Sequence, residues 1–336
     1  MAGSGTIQLR DDDDIVLRVE NLVVEFPVGR HQVVHAVSDL SFDVRRGETL
    51  GIVGESGCGK STTARAIVQI PRPTSGTVVL DPGSDREAEL TALHGESLRE
   101  VRPRLQMIFQ DPISSLNPRR FVRDIVAEGL AIWQKDHSGP HSQARIDEVL
   151  EAVGIDPEVA ATRRPHEFSG GQCQRISIAR AVALDPEILV CDEPVSALDV
   201  SVQAQILNIL EDMKQRYGLT LLFISHDLSV VRNVSDRVVV MYLGKICEIG
   251  AADTLYSSPA HPYTRVLLAS APEPAPTVDP SDAAIGDEIP SPINPPSGCR
   301  FRTRCPRATD LCAAEEPQVQ QLGEDHFVAC HFPTLG

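Results

Sequence analysis

Two short stretches of this 336-residue chain carry residue types suited to holding phosphate. In GESGCGKST, residues 54–62, Gly54, Gly57 and Gly59 let the backbone wrap closely around an anion. Lys60 can then reach β- and γ-phosphate oxygens while Ser61 offers a hydroxyl to magnesium. The second stretch is FSGGQCQR, residues 168–175, which reads as a helix entrance: a hydroxyl, two glycines and an amide ahead of Ile176, Ile178, Ala179 and Val182. Backbone N–H groups at such an entrance point outward with the positive end of the helix dipole and seat an anion. One nucleotide does not need two cradles from one small domain, so the pair requires an explanation.

Two carboxylates, Asp192 and Glu193 in ILVCDEP, end an apolar run. Successive side chains at a strand end take different directions, so one can hold a magnesium shell while the other faces a water attacking the γ-phosphate. Gln110 in FQDP and His226 in FISHD are further polar groups beside apolar runs. Each is weak alone: an acidic pair after an apolar run is usually just a strand end, and a lone histidine there is usually a satisfied structural one.

The elements that must position these groups are legible as patterns. IVLRVENLVVEF and LSFDV alternate as strands do, and TLGIVG is an apolar run that stops at the glycine loop. STTARAIVQI follows with helical spacing, giving the strand, glycine turn and helix that a phosphate loop requires. Residues 111–185 read as mostly helical, with RIDEVLEAVG clearly amphipathic and DPISSLNPRR a loop of turn formers. EILVCDEP, LTLLFISHD and DRVVVMYLGKICEIG are short apolar runs typical of strands buried on both faces. The expected architecture is a parallel-sheet α/β core interrupted by a helical insert.

Composition bounds the function. The formal charge of −16 opposes nonspecific contact with nucleic acid backbones, and Asp11–Asp14 read as part of a solvated tail. No run reaches the roughly 18 apolar residues that a membrane-crossing helix needs. The N-terminus shows no basic region followed by an apolar run, so a cytosolic chain with reduced cysteines is expected.

Taken together, the phosphate loop, Gln110, SGGQ, CDEP, SALD (Ser196 to Asp199) and His226 resemble, in order and spacing, the ATP-binding-cassette ATPases over residues 15–255. RPRLQMIFQDPISSLNPRR, the run from RRPHEFSGGQ through SVQAQILNIL, and HPYTRVLLASAPEP with NPPSGCRFRTRCPRA are similar to the dipeptide/oligopeptide importer ATPases, of the type that pairs with a non-identical cassette. The resemblance implies a P-loop NTPase (RecA-like) core with an antiparallel β subdomain and an α-helical subdomain at about 111–185, an extension at 256–336, and a disordered tail at 1–14. It explains the two cradles: cassettes pack head to tail, so the helix entrance of one closes on the γ-phosphate held by the other.

Carried over residue by residue, the resemblance makes Glu193 the residue that polarises water, Asp192 the residue that orders magnesium with Ser61, and Gln110 a sensor of both. His226 would contact the γ-phosphate, and Phe26 would stack on adenine. Gly54, Ser56, Gly57, Cys58, Gly59, Lys60, Ser61 and Thr62 would line the nucleotide, with no chemistry assigned to the Cys58 thiol. Ser169, Gly170, Gly171 and Gln172 would serve the opposite site and Asp199 the dimer seam. The implied partners are a second cassette, two permeases docking near DPISSLNPRR and an extracytoplasmic peptide-binding protein, with no nucleic acid, and a peripheral place on the cytoplasmic face of the inner or plasma membrane. The competing reading is a soluble cassette in translation or DNA repair; such proteins usually join two cassettes in one chain or insert a coiled coil, and neither feature is present.

The tail raises a separate question. Eight prolines between Pro272 and Pro296 read as a linker or an extended wrap. Beyond them Cys299, Cys305, Cys312 and Cys330 sit in a core-poor segment, and in the cytosol a metal is a better staple than disulfides. Spacing alone leaves zinc, an iron–sulfur cluster and four free thiols open; the resemblance adds that some relatives carry a 4Fe-4S cluster there.

Overall fold

The computed structural model describes residues 5–11, 13–29, 31–133, 140–270 and 288–334. Of the proline-rich stretch, residues 272–287 lie outside the described residues. The chain forms two compact units, Met1–Leu93 with Phe223–Gly336, and His94–Leu222.

The first unit holds an antiparallel sheet in the order Gln32–Arg45, Ile15–Val28, Ser75–Leu80, Ala88–Glu89. Alternation on either side of a register shift between Val19 and Leu22 puts Leu17 and Val19, then Leu22 and Val24, in the core. The strand Thr49–Val53 is buried at every residue and runs parallel to Arg237–Tyr242, also fully buried, from Leu50 opposite Arg237 to Val53 opposite Val240. Lys245–Ala251 pairs antiparallel on the other side of Arg237–Tyr242. Unbroken apolar runs therefore mark strands covered on both faces, as expected.

The extension is not a separate appendage. Its strands Val319–Gly323 and His326–Ala329 pair with each other, and the second pairs with Lys245–Ala251 through Glu248 opposite Val328 and Ile249 opposite Phe327. A sheet edge presents unpaired N–H and C=O groups, and the hairpin satisfies them. The attachment is reinforced at Glu248, which is 0 % exposed. Its carboxylate accepts from the Ala260 N–H (2.8 Å), the His261 N–H (2.9 Å) and the Thr264 hydroxyl (2.5 Å), and contacts His326 Nε2 at 2.8 Å.

The N-terminal tail also departs from expectation at two residues. Gln8 is buried and donates to the Ser41 carbonyl at 2.9 Å, and the Arg10 guanidinium meets Asp43 at 2.6 Å and Glu48 at 3.0 Å. The acidic partners are buried and also face Arg237, so leaving Arg10 out would strand part of their charge away from water.

The second unit begins earlier and ends later than the helical insert read from the sequence. It contains the parallel strands Leu105–Ile108 and Ile188–Asp192, with Leu105 opposite Ile188 and Ile108 opposite Cys191. Its helices include Val122–Trp133, Pro140–Ala152, Gly170–Val182 and Val200–Tyr217. Gly170–Val182 is the hub, burying Ile176, Ile178, Ala179 and Val182 and packing against the other three. Among the described residues no helix is long and apolar enough to cross a membrane.

Candidate functional site

The strand Thr49–Val53 ends at Gly54, and the loop enters the helix Lys60–Ile67 through Gly59, whose φ is 106°. A Cβ on Gly54 would stand 2.2 Å from the Met241 carbonyl oxygen, and one on Gly59 2.3 Å from that of Ala36. Both neighbours are backbone and cannot swing aside, so the narrow loop exists only with glycine there. The Lys60 side chain folds back over it, 4 % exposed, its ammonium donating to the carbonyls of Gly54 (2.7 Å) and Glu55 (3.1 Å). Cys58 is buried beside it, and burial pushes its thiol pKa up, which keeps the sulfur neutral and leaves its backbone as the useful part. Ser56 and Gly57 are exposed at the loop tip, and Ser61 and Thr62 are half-buried at the helix start.

Two more predicted residues belong to this unit. Phe26, 38 % exposed, stands on Ile15–Val28 opposite Val34, a large ring left open where a core residue would be covered. His226 is exposed in the turn after Thr220–Ile224. That turn is pinned by Asp227, which caps the helix Leu228–Val234 by accepting from Ser229 N–H at 2.8 Å, while its own N–H donates to Ser225 Oγ at 3.0 Å.

The other predicted residues lie in the second unit. Asp192 is 0 % exposed at the end of its strand. The next residue, Glu193, has φ 47°, and this left-handed backbone turns its half-buried carboxylate away from the direction of Asp192. Gln110 Nε2 donates to Glu193 Oε2 at 3.0 Å, which joins two residues that lie far apart in the sequence. Ser169 caps the helix Gly170–Val182, accepting from the Gln172 N–H at 3.3 Å while Gln172 Oε1 accepts from the Ser169 N–H at 2.9 Å. This reciprocal cap organises the entrance and leaves Ser169 and Gln172 exposed. A Cβ on Gly171 would come within 2.6 Å of Val202 Cγ1, so the entrance packs tightly against Val200–Tyr217, whose first turn starts at the exposed Asp199.

Cys299, Cys305, Cys312 and Cys330 line one pocket with His261, Phe301 and His331. The N–H groups of Phe301, Arg307 and Phe332 point at the sulfurs of Cys299, Cys305 and Cys330, the last at 3.4 Å. Burial, and then the neighbouring cysteines, push Cys299 and Cys330 up to about 11. Among the described residues, however, no group of three or more His, Cys, Asp or Glu side chains converges to hold a metal ion. The predicted 4Fe-4S ligand set and the zinc alternative therefore have no preformed cage among the described residues, where the four thiols line a pocket without converging as ligands.

Against known proteins, residues 37–196 match the ABC transporter family model and residues 247–312 match the oligopeptide/dipeptide transporter C-terminal region. The oligopeptide transport ATP-binding protein OppF of Haemophilus influenzae is 44 % identical over 330 residues, covering 95 % of this chain and 98 % of that protein. The chain belongs to the ATP-binding-cassette transporter ATPases, in their dipeptide/oligopeptide branch. The cassette is also 48 % identical to the oligopeptide transport ATP-binding protein AppF of Bacillus subtilis over 301 residues, 89 % of each chain. Among solved structures it is similar to the cassette MJ0796 in a dimeric post-hydrolysis state bound to ADP and Pi, with TM-score 0.63 and 26 % identity over 70 % of this chain and 98 % of that one. It is likewise similar to cbiO1 of Clostridium perfringens, with TM-score 0.62 and 26 % identity over 72 % and 91 %. The cassette is an ATPase with the fold of these neighbours.

Two residues that touch the phosphate loop were not legible. Tyr263 Oη accepts from the Glu55 N–H at 2.8 Å, and Arg304 pairs with the Glu55 carboxylate at 2.7 and 2.9 Å. Both come from the extension, and their only signal was their place in HPYTRVLL and RFRTRC, which says nothing about a partner some 200 residues away.

Proposed function

We propose that this cassette is one of two non-identical ATPase subunits of an importer for dipeptides, oligopeptides or similar small solutes, and that ATP closes the pair and hydrolysis releases it. The observation that carries this reading is the oligopeptide-transporter C-terminal region built into the same unit as the phosphate loop. On this reading the glycine loop and Lys60 hold and neutralise the phosphates. Glu193 takes the proton from the attacking water, and Gln110 keeps its carboxylate oriented through the 3.0 Å hydrogen bond. Ser61, Gln110 and Asp192 have the oxygen donors that magnesium takes, and the ion when bound would neutralise charge on the β- and γ-phosphates. His226 contacts the γ-phosphate, Phe26 stacks on adenine, and Ser169, Gly170, Gly171 and Gln172 present an exposed helix entrance to the partner's nucleotide, with Asp199 at the seam. Differential binding of ATP to the closed pair supplies the closing free energy.

The partners are then a second cassette, two permeases and an external peptide-binding protein, with the cassette on the cytoplasmic face. Affinity purification of the full-length chain from detergent-solubilised membranes tests this: two permeases and a cassette of different sequence should come with it. Recovery only as a homodimer, or with ribosomal or DNA-repair proteins, overturns it.

For the four cysteines of the extension we propose an iron–sulfur cluster in preference to zinc, assembled by drawing together thiols that form no preformed metal cage among the described residues. N–H groups aimed at three of the sulfurs oppose the burial that otherwise disfavours the thiolate form a metal needs. Cys299, Cys305, Cys312 and Cys330 would hold the cluster. Anaerobically purified protein should show an iron-dependent absorbance band that Cys305→Ser and Cys312→Ser remove; one zinc per chain and no iron rejects the cluster.

A further inference from the structure

We propose that Arg304, in the C-terminal extension, is a positioning residue for the phosphate loop and sets the affinity of the cassette for ATP through Glu55. Every polar group of Glu55 is engaged. Its carbonyl accepts from Lys60 at 3.1 Å, its N–H donates to Tyr263 Oη at 2.8 Å, and its carboxylate takes both arms of the Arg304 guanidinium at 2.7 and 2.9 Å. Two of these three attachments come from the extension. A bidentate guanidinium–carboxylate pair fixes orientation as well as distance, which a single contact does not.

The pair is held from behind. The Arg304 side chain is 6 % exposed, and its guanidinium carbon lies 5.7 Å from the Tyr242 ring centre and 5.8 Å from that of Phe301. Those rings and Tyr263 form a buried cluster with centroids 4.7 to 5.3 Å apart, which restricts where Arg304 can move. The same segment braces the far end of the loop: Arg300 donates to the Leu243 carbonyl, and the adjoining Gly244 N–H donates to the Cys58 carbonyl at 2.8 Å. The loop that must aim its N–H groups at phosphate is thus clamped at Glu55 and at Cys58 by residues outside the nucleotide-binding motifs. Glu55 itself is 25 % exposed, and without its partner this carboxylate would stand unneutralised beside the seat of the phosphates, where it repels them.

The test uses Arg304→Gln, Glu55→Gln and the double substitution in the full-length chain. Equilibrium binding of a fluorescent ATP analogue with magnesium is measured on the purified chain, and KM and kcat for ATP on the reconstituted transporter. If Arg304 positions the loop, Arg304→Gln weakens binding and raises KM by about fivefold or more. The fall in kcat at saturating ATP is smaller, Arg304→Lys recovers part of the affinity, and the double substitution is no worse than Arg304→Gln. Glu55→Gln removes the repelling charge along with its partner's target and so weakens binding less than Arg304→Gln does. Binding and KM within about twofold of wild type in Arg304→Gln overturn the proposal, as does a loss confined to kcat or a double substitution whose loss is the product of the two singles. Should Arg304→Gln melt before it can be assayed, Arg304→Lys carries the test, since it keeps the charge and the packing stem but cannot make the paired contact.

Discussion

Replacing Glu193 by Gln isolates the proposed proton-accepting role from everything else the residue does. The amide has the same shape, and its oxygen can still accept from Gln110, so the 3.0 Å contact that orients the side chain survives with reduced charge assistance. The weakened hydrogen bond costs about 1 kcal/mol of stability on a side chain that is only half-buried. A general base contributes about 10²- to 10⁴-fold in rate, or about 3 to 5 kcal/mol of barrier, so catalysis is lost long before the fold. Steady-state phosphate release by the reconstituted transporter should therefore fall by at least about a hundredfold. ATP affinity should stay within about twofold and the melting temperature within a few degrees of wild type. Retained ATP should also hold the cassettes together, visible as a stable dimer on size exclusion. A turnover within about tenfold of wild type would show that another group takes the proton and that the Gln110–Glu193 contact has only a structural purpose.

Other consequences follow from single contacts. Gly59→Ala puts a Cβ 2.3 Å from the Ala36 carbonyl in a left-handed backbone, which should destabilise the loop by about 3 kcal/mol or more and abolish ATP binding by calorimetry. On the proposed stacking of Phe26 against adenine, Phe26→Ala should raise the KM for ATP by about three- to tenfold with the melting temperature within a few degrees of wild type, since the ring is partly exposed. His261 is buried and its pKa is lowered to about 4, mainly by desolvation, partly opposed by Glu248. Its folded pKa lies below the unfolded value near 6.5, so the unfolded chain binds the proton first, and stability is full above about 6.5 and lost as pH falls toward 4. The loss reaches about 3 kcal/mol, and His261→Asn should flatten the melting-temperature profile across that window; an unchanged profile refutes the assignment.

How the segments beyond residue 250 meet the rest of their unit is where sequence patterns failed. An apolar run such as VVVMY states its own burial, since only a strand covered on both faces can be apolar at every position. A segment such as FRTRCPRA states no partner, because its proline and lack of any apolar period fit any wrap. The hairpin Val319–Gly323 with His326–Ala329 alternates too weakly to name the edge it covers, with only the second strand buried throughout. Glu248 gives no sign in KICEIG that it is buried, since its reason for being there is four donors from residues 260, 261, 264 and 326.

The sequence by itself determined the chemistry: the glycine loop, the lysine, the acidic pair and the capped helix entrance are local motifs, whose geometry follows from φ angles, glycine's missing Cβ and strand ends. The tertiary structure alone decided which side chains meet. Gln110 reaching Glu193, and Arg304 and Tyr263 closing on Glu55, join residues separated by 83, 249 and 208 positions. Local pattern carries no information about such pairs, because a hydrogen bond needs only the right two atoms within reach, and the packing of distant buried rings and strands sets which atoms those are.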